Sequence, residues 1–230
     1  MVDLKRIGEF IAACRREKKL TQKQLGEKLN VTDRAADSLY SFYFRQKQYE
    51  QAEQYLAYFS GHDPERKRKQ AQIYRKTGRT QEAYQILEEL LFSYFQLVSA
   101  SLHGLYMLSA EDGDLEQAHL LVKKEKLLAR LFDMGEYYEA SAGLGLAVLE
   151  KDEAEVLKAA EKMLSGIMTI RSFTESPLYR HMDFRKAEEG FLAELKQNLL
   201  NCFRDEKTYG FMRKNEKWKR LIETNGRLME

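Results

Sequence analysis

An eight-residue phrase occurs three times along this chain, and that periodicity restricts the possible folds more than any other feature. Tyr49-Glu50-Gln51-Ala52-Glu53-Gln54-Tyr55-Leu56 returns as Thr80-Gln81-Glu82-Ala83-Tyr84-Gln85-Ile86-Leu87 and again as Asp114-Leu115-Glu116-Gln117-Ala118-His119-Leu120-Leu121. The alanines Ala52, Ala83 and Ala118 lie 31 and 35 residues apart. A repeat of that length holds one pair of helices, which cannot bury its apolar face alone and has to stack on its neighbours. Gly78 and Gly113 stand five residues before the second and third alanines, at the turn inside each pair. About one helix upstream of each alanine come Tyr40 and Tyr43, then Ala71 and Tyr74, then Tyr106. Small residues let paired helices approach and large ones fill the gaps between them.

Composition agrees with helices throughout. The 230 residues include only two prolines, and the sequence is rich in Leu, Glu, Lys, Ala and Gln, the residues that favour helix. No alternating Val/Ile/Thr-rich stretch suggests a strand. Leu90 to Ala110 contains no Asp, Glu, Lys or Arg, but its serines, Gln96, His103 and Gly104 make it too polar for a lipid-facing span. It reads as two buried helical segments meeting near Ser99. The start of the chain leads into Glu9 and not into an apolar run, so no signal peptide is expected. Cys14 and Cys202 stand far apart without ligand spacing, which predicts neither a disulfide scaffold nor a zinc site and suits a reducing cytoplasm. His62, His103, His119 and His181 form no metal-ligating pattern, and no nucleophile elbow or phosphate loop is present. The expectation is a protein without catalytic residues, bound metal or cofactor.

The repeated phrase resembles the tetratricopeptide repeat, a helical hairpin of about 34 residues. A degenerate fourth unit runs from Ala140 to Gly166, with Val156, Ala160 and Met163 on its second helix and Gly143 and Gly145 at a close helix contact. The resemblance implies a solenoid whose concave surface takes a peptide or partner helix, and Tyr40, Tyr43, Tyr74 and Tyr106 are the candidate residues for that surface. Aromatic residues at helical spacing equally serve as core. Arg66-Lys67-Arg68-Lys69 reads as a solvated helix face. Pro177 is expected to open a helix. Phe191, Leu192, Leu195, Leu199 and Phe203 form an amphipathic stripe, and Trp218, Leu221 and Ile222 are expected to cap the end of the stack.

The N-terminal segment is different in kind. Leu4, Ile7, Phe10 and Ile11 share one helical face, and Thr21 with Gln24 forms a capping box for a second helix carrying Leu25 and Leu29. Asn30 suits a helix end, and Thr32 followed by Asp33 suits the start of a third. Arg15-Arg16-Glu17-Lys18-Lys19-Leu20-Thr21-Gln22, the leucine-bearing helix and the turn to Thr32 closely resemble the helix-turn-helix of Cro/repressor-type (Xre-like) transcriptional regulators over residues 4 to 36. That resemblance implies that Gln22 and Lys23 face DNA phosphates. It also implies that Thr32, Asp33 and Arg34 lie at the groove-facing start of the recognition helix. Residues 1–36 carry nine Lys/Arg against five Asp/Glu, in a chain whose net charge is only +2. After Ala35 the family pattern stops: Ala36-Asp37-Ser38-Leu39-Tyr40 replaces the expected second half of the recognition helix, and the two closing helices are not identifiable. So short a segment cannot bury its own core.

Together these features predict an all-α chain: a partial helix-turn-helix at 1–36, tetratricopeptide-like hairpins forming an α-solenoid at 37–175, and capping helices at 176–230. The layout resembles a bacterial regulator that reads double-stranded operator DNA as a homodimer and takes a signalling peptide or protein partner on its repeats, without a membrane role. The alternative is an interaction scaffold of the same descent that no longer binds DNA.

Overall fold

The computed structural model describes residues 4–21, 33–61, 63–188 and 190–227. Among these the chain is all-α. The described residues contain eleven α-helices: α1 (Leu4–Glu17), α2 (Asp33–Arg45), α3 (Tyr49–Tyr55), α4 (Pro64–Lys76), α5 (Thr80–Glu111), α6 (Leu115–Leu131), α7 (Glu136–Leu149), α8 (Glu153–Gly166), α9 (Phe191–Phe203), α10 (Glu206–Tyr209) and α11 (Glu216–Arg227). Short 3-10 turns join several of them, and no strand occurs among the described residues. Contacts gather the chain into two compact units, Met1–Leu90 and Leu91–Glu230, with the border inside α5.

One closure is used repeatedly between helices. The chain turns through a single left-handed residue: Lys47 (φ 60°), Gly78 (φ 80°), Gly113 (φ 82°), Asp133 (φ 53°) and Lys151 (φ 54°). The amide after each reaches back five residues to a carbonyl, as in Gln48 N–H to Tyr43, Asp114 N–H to Ser109 and Asp152 N–H to Ala147. This closure satisfies carbonyls that the helix end would otherwise leave unpaired. Where the next residue is Asp it caps the following helix: Asp114 Oδ1 accepts from Gln117 N–H at 3.0 Å, and Asp152 Oδ1 from Ala154 and Glu155 N–H. Only three residues therefore separate one helix from the next at these two turns, and the consecutive helices pack against each other.

The first unit is built on aromatic residues. Ala36, Tyr40, Ala52, Leu56, Phe59 and Ile73 are buried together, with Tyr43, Phe44, Tyr49, Tyr55, Tyr58 and Tyr74 around them. Tyr43 stacks on Tyr55 and Tyr40 on Phe44. Pro64 takes the first helical position of α4 behind Asp63, whose side chain accepts from Glu65 N–H.

In the second unit α6, α7 and α8 pack in succession. Tyr106 is buried among Ala118, Leu121, Val122 and Leu146. Phe95, Ala129, Met134, Phe173 and Tyr179 make a second cluster. Val156, Ala160 and Met163 of α8 join Leu200, Phe203, Met212 and Trp218 in the third. The alanines of the repeated phrase, Ala52, Ala83 and Ala118, are all buried.

Three expectations need correction. Residues 90–110 are not two segments meeting near Ser99; they belong to one continuous helix of 32 residues. The hydroxyls do not interrupt it, because Ser101 Oγ returns a hydrogen bond to Leu97 O and Ser99 Oγ bonds a side chain of α6. Pro177 does start a helical turn behind Ser176, but a 3-10 turn ending at Tyr179. The basic run at 66–69 is not uniformly solvated. Lys69 is buried, its ammonium 2.7 Å from Asp37, 3.3 Å from Glu65 and within 6 Å of the Tyr40 and Phe59 ring centres.

Two substitutions test this reading with signs opposite to simple helix propensity. Lys151→Gly relieves the left-handed penalty of a side-chain-bearing residue and is expected to stabilise the chain by about 1 kcal/mol. A Cβ on Gly145 would stand 2.6 Å from the buried Tyr106 hydroxyl. Gly145→Ala is therefore expected to destabilise by roughly 1 kcal/mol despite alanine's better propensity. Thermal and urea denaturation of the two variants measure both.

Candidate functional site

Of the residues expected to contact DNA, Gln22, Lys23 and Thr32 lie outside the described residues, and Asp33 and Arg34 are the first two residues of α2. From there α2 runs unbroken through the point where the sequence pattern changes, to Arg45. It carries one apolar stripe, Ala36, Tyr40 and Phe44, into the aromatic cluster of the first unit.

Tyr40, Tyr43 and Tyr74 are brought together in that cluster, while Tyr106 belongs to the second unit. Tyr40 is buried, its hydroxyl within hydrogen-bond distance of Lys69 O (3.1 Å) and Gln72 Oε1 (3.2 Å), and burial pushes its pKa up to about 12. Tyr43 is half-buried in its stack with Tyr55. Tyr74 accepts from Gln70 and lies beneath the Arg79 guanidinium at 3.7 Å; Arg79 in turn pairs with Glu53 at 2.9 Å. Tyr106 is fully buried, with its pKa raised by burial to about 12. Each of the four contributes to packing.

A cleft that the sequence reading did not single out lies in the second unit. Phe95, Gln96, Ser99, Ala100 and His103 of α5, Glu125 and Ala129 of α6, and Tyr138 and Ser141 of α7 enclose about 420 Å³. Glu125 is 6% exposed. Its Oε1 accepts from Ser99 Oγ at 2.9 Å, and its Oε2 has no hydrogen-bond partner. Burial raises its pKa above the ordinary glutamate value, and the Ser99 bond and nearby His103 only partly oppose that. His103 itself is exposed and lies edge-on against Tyr106, ring centres 4.7 Å apart.

Glu125 was detectable in principle. It lies on the stripe Ala118, Leu121, Val122, Glu125, Ala129, every member of which is buried, and it is the only charged residue there. Its neighbours Lys123, Lys124 and Lys126 disguise it as part of a solvated charge run.

A second cleft of about 380 Å³ has Arg171, Arg185 and Lys186 in its wall, but Glu188 and Glu194 offset their charge. Among the described residues no group of three or more His, Cys, Asp or Glu is placed to hold a metal ion, and no helix is long and apolar enough to cross a membrane. Comparison with protein-family models, with curated proteins and with solved structures found no match to this chain.

The buried glutamate has a consequence for stability. Below the unfolded-state pKa, about 4.3, Glu125 is neutral in both states and its burial carries no electrostatic penalty. As pH rises through the higher folded-state value, the fold must either hold a buried charge or retain a proton the unfolded chain has lost, and stability falls. Glu125→Gln mimics the protonated form. It should match the parent chain at about pH 4 and exceed it at about pH 8 by on the order of 1 kcal/mol, read from denaturation midpoints at the two pH values.

Proposed function

We propose that this chain is a cytoplasmic, DNA-binding transcriptional regulator whose helical-repeat body dimerises and senses a ligand or peptide. The observation that carries the reading is the joining of a repressor-like segment to α2. Asp33 and Arg34, where the resemblance requires a recognition helix, lie in a helix that continues into the aromatic cluster of the first unit. Its register supports the role. The helix is anchored through its Ala36–Tyr40 stripe, and Ser38, Ser41 and Arg45 lie on the opposite one. The excess of Lys/Arg over Asp/Glu in residues 1–36 suits a polyanionic partner.

A second reading, an interaction scaffold without DNA binding, is favoured by the same anchoring. Ala36 is fully buried and Tyr40 nearly so, which commits the middle of the helix to the body of the protein. Fluorescence anisotropy with mixed genomic fragments at two salt concentrations separates the two. A regulator binds with a steep salt dependence and selects particular fragments, and Gln22→Ala/Arg34→Ala loses that binding. A chain that fails to bind at low salt, or binds equally well with both substitutions, is the scaffold.

Dimerisation draws support from α5. Within the second unit Tyr94, Val98, Ser101, Leu105 and Leu108 are exposed and spaced four, three, four and three apart, the spacing of a coiled-coil seam. Leu105 and Leu108 are 51% and 59% exposed. A matching seam on a second copy is the occupant this spacing fits. Paired recognition helices would then read two half-sites about one DNA turn apart. Leu105→Glu/Leu108→Glu should shift the sedimenting species from dimer to monomer with unchanged helicity; a parent chain that sediments as a monomer refutes the seam.

A further inference from the structure

Three buried side-chain atoms among the described residues form no hydrogen bond: Asp37 Oδ1, Tyr106 OH and Glu125 Oε2. Asp37 is compensated by charge, since the Lys69 ammonium lies 2.7 Å away, off the direction of a good hydrogen bond. The Tyr106 hydroxyl is confined against the backbone of α7 at Gly145. Glu125 differs from both. It is nine-tenths buried, carries a potential full charge, receives one neutral hydroxyl, and borders open space. Leaving a buried acceptor unmet costs on the order of 1–3 kcal/mol, so the fold retains an unmet demand at this position.

The wall around Glu125 indicates what would meet it. Phe95, Ala100, Ala129 and Tyr138 contribute rings and methyl groups, and Ser99, Gln96 and Ser141 contribute neutral polar groups. Glu125 is the only carboxylate in the lining, and neither Lys nor Arg lines the cleft. An anion would find no Lys or Arg there and a buried carboxylate opposed to it. A metal ion would find one carboxylate and one imidazole, too few for a protein cage. An ammonium group fits both features: it donates to a carboxylate through short, charge-assisted hydrogen bonds, and it is attracted to the faces of aromatic rings. About 420 Å³ lies in the range of small-molecule sites, which are characteristically apolar with a few placed polar groups.

We propose that the cleft between α5, α6 and α7 binds a small organic amine, its ammonium group held by Glu125 and its apolar body by Phe95, Ala100, Ala129 and Tyr138. Ser99 holds Oε1, and Oε2, which has almost no accessible surface in this conformation, meets the ammonium once the carboxylate turns toward the cleft. The proposal is independent of DNA binding by the N-terminal segment and stands or falls on the second unit alone.

The test is calorimetry and thermal shift on the full chain with two matched pairs of probes, butylamine against 1-butanol and benzylamine against benzyl alcohol. Each pair shares its apolar body and differs in charge. The expected result is binding of the amines at least about tenfold tighter than of the alcohols, a gap of about 1.4 kcal/mol, and loss of that preference in Glu125→Gln. The ionisable groups facing Glu125 are His103 and Tyr106 from α5 and Tyr138 from α7. Because a bound ammonium favours the ionised carboxylate, amine binding at a pH low enough for free Glu125 to keep its proton should release that proton, measured as a dependence of the heat on the buffer's ionisation enthalpy. Glu125→Gln should abolish that release, which assigns it to Glu125 and not to His103. Ala100→Leu fills the exposed rim of the cleft while leaving the carboxylate in place, and should also remove amine binding. Equal binding of amine and alcohol, preference retained in Glu125→Gln, amine binding unchanged in Ala100→Leu, or no amine binding at about 10 mM overturns the proposal.

Discussion

The second unit depends on how closely α5, α6 and α7 approach one another at Tyr106. The Tyr106 ring is buried without remainder among Ala118, Leu121, Val122 and Leu146, and its hydroxyl occupies the space that a Cβ on position 145 would need. Burial of a ring this size removes on the order of 150–250 Å² from water, enough to hold three helices in register. The same approach leaves the hydroxyl without a partner. Gly143 repeats the arrangement one half-turn earlier, where a Cβ would meet Lys126 Nζ and Cε. A helix with two glycines in its middle is weak by propensity, yet α7 is the element between α6 and α8, and it is the glycines that let α6 and α5 side chains reach its backbone.

The legible part of the fold was its all-α character. Ala52, Ala83 and Ala118, the marker positions of the repeated phrase, are all buried. Gly78 and Gly113 were readable because a left-handed closure favours glycine. Lys47, Asp133 and Lys151 perform the same closure and gave no signal, since a surface lysine or aspartate is unremarkable in a sequence. The length of α5 was hidden for a related reason. Ser99, Ser101 and Gly104 suggest an interruption in one dimension, but their polar groups are satisfied by Leu97 O, by Glu125 or by open solvent, so the helix does not break.

The N-terminal half of the functional reading rests on pattern and the C-terminal half on geometry. The sequence of residues 4–36 resembles a repressor motif, and α2 runs straight through the place where that resemblance stops. The change of sequence near Ala36 is therefore not a break in the helix. Past Ala36 its buried stripe belongs to an aromatic cluster made with α3 and α4. So few residues as 1–36 cannot bury enough apolar surface alone.

Lys69 and Glu125 are two ions in similar disguise, each inside a run of charge and each buried once the helices assemble. Their surroundings differ in a way that separates structure from site. Lys69 has two carboxylates within 3.3 Å and two aromatic rings within 6 Å, so its charge is answered by the protein itself. A ligand could add little there. Glu125 has one serine hydroxyl and an edge of open cleft. A buried charge that breaks even only when paired is a poor way to stabilise a fold, and a hydrophobic residue at 125 would complete the stripe of α6 at less cost. A carboxylate left incompletely answered beside an apolar cavity favours whatever cation enters it. That asymmetry, and not acidity or burial alone, marks Glu125 as a binding residue.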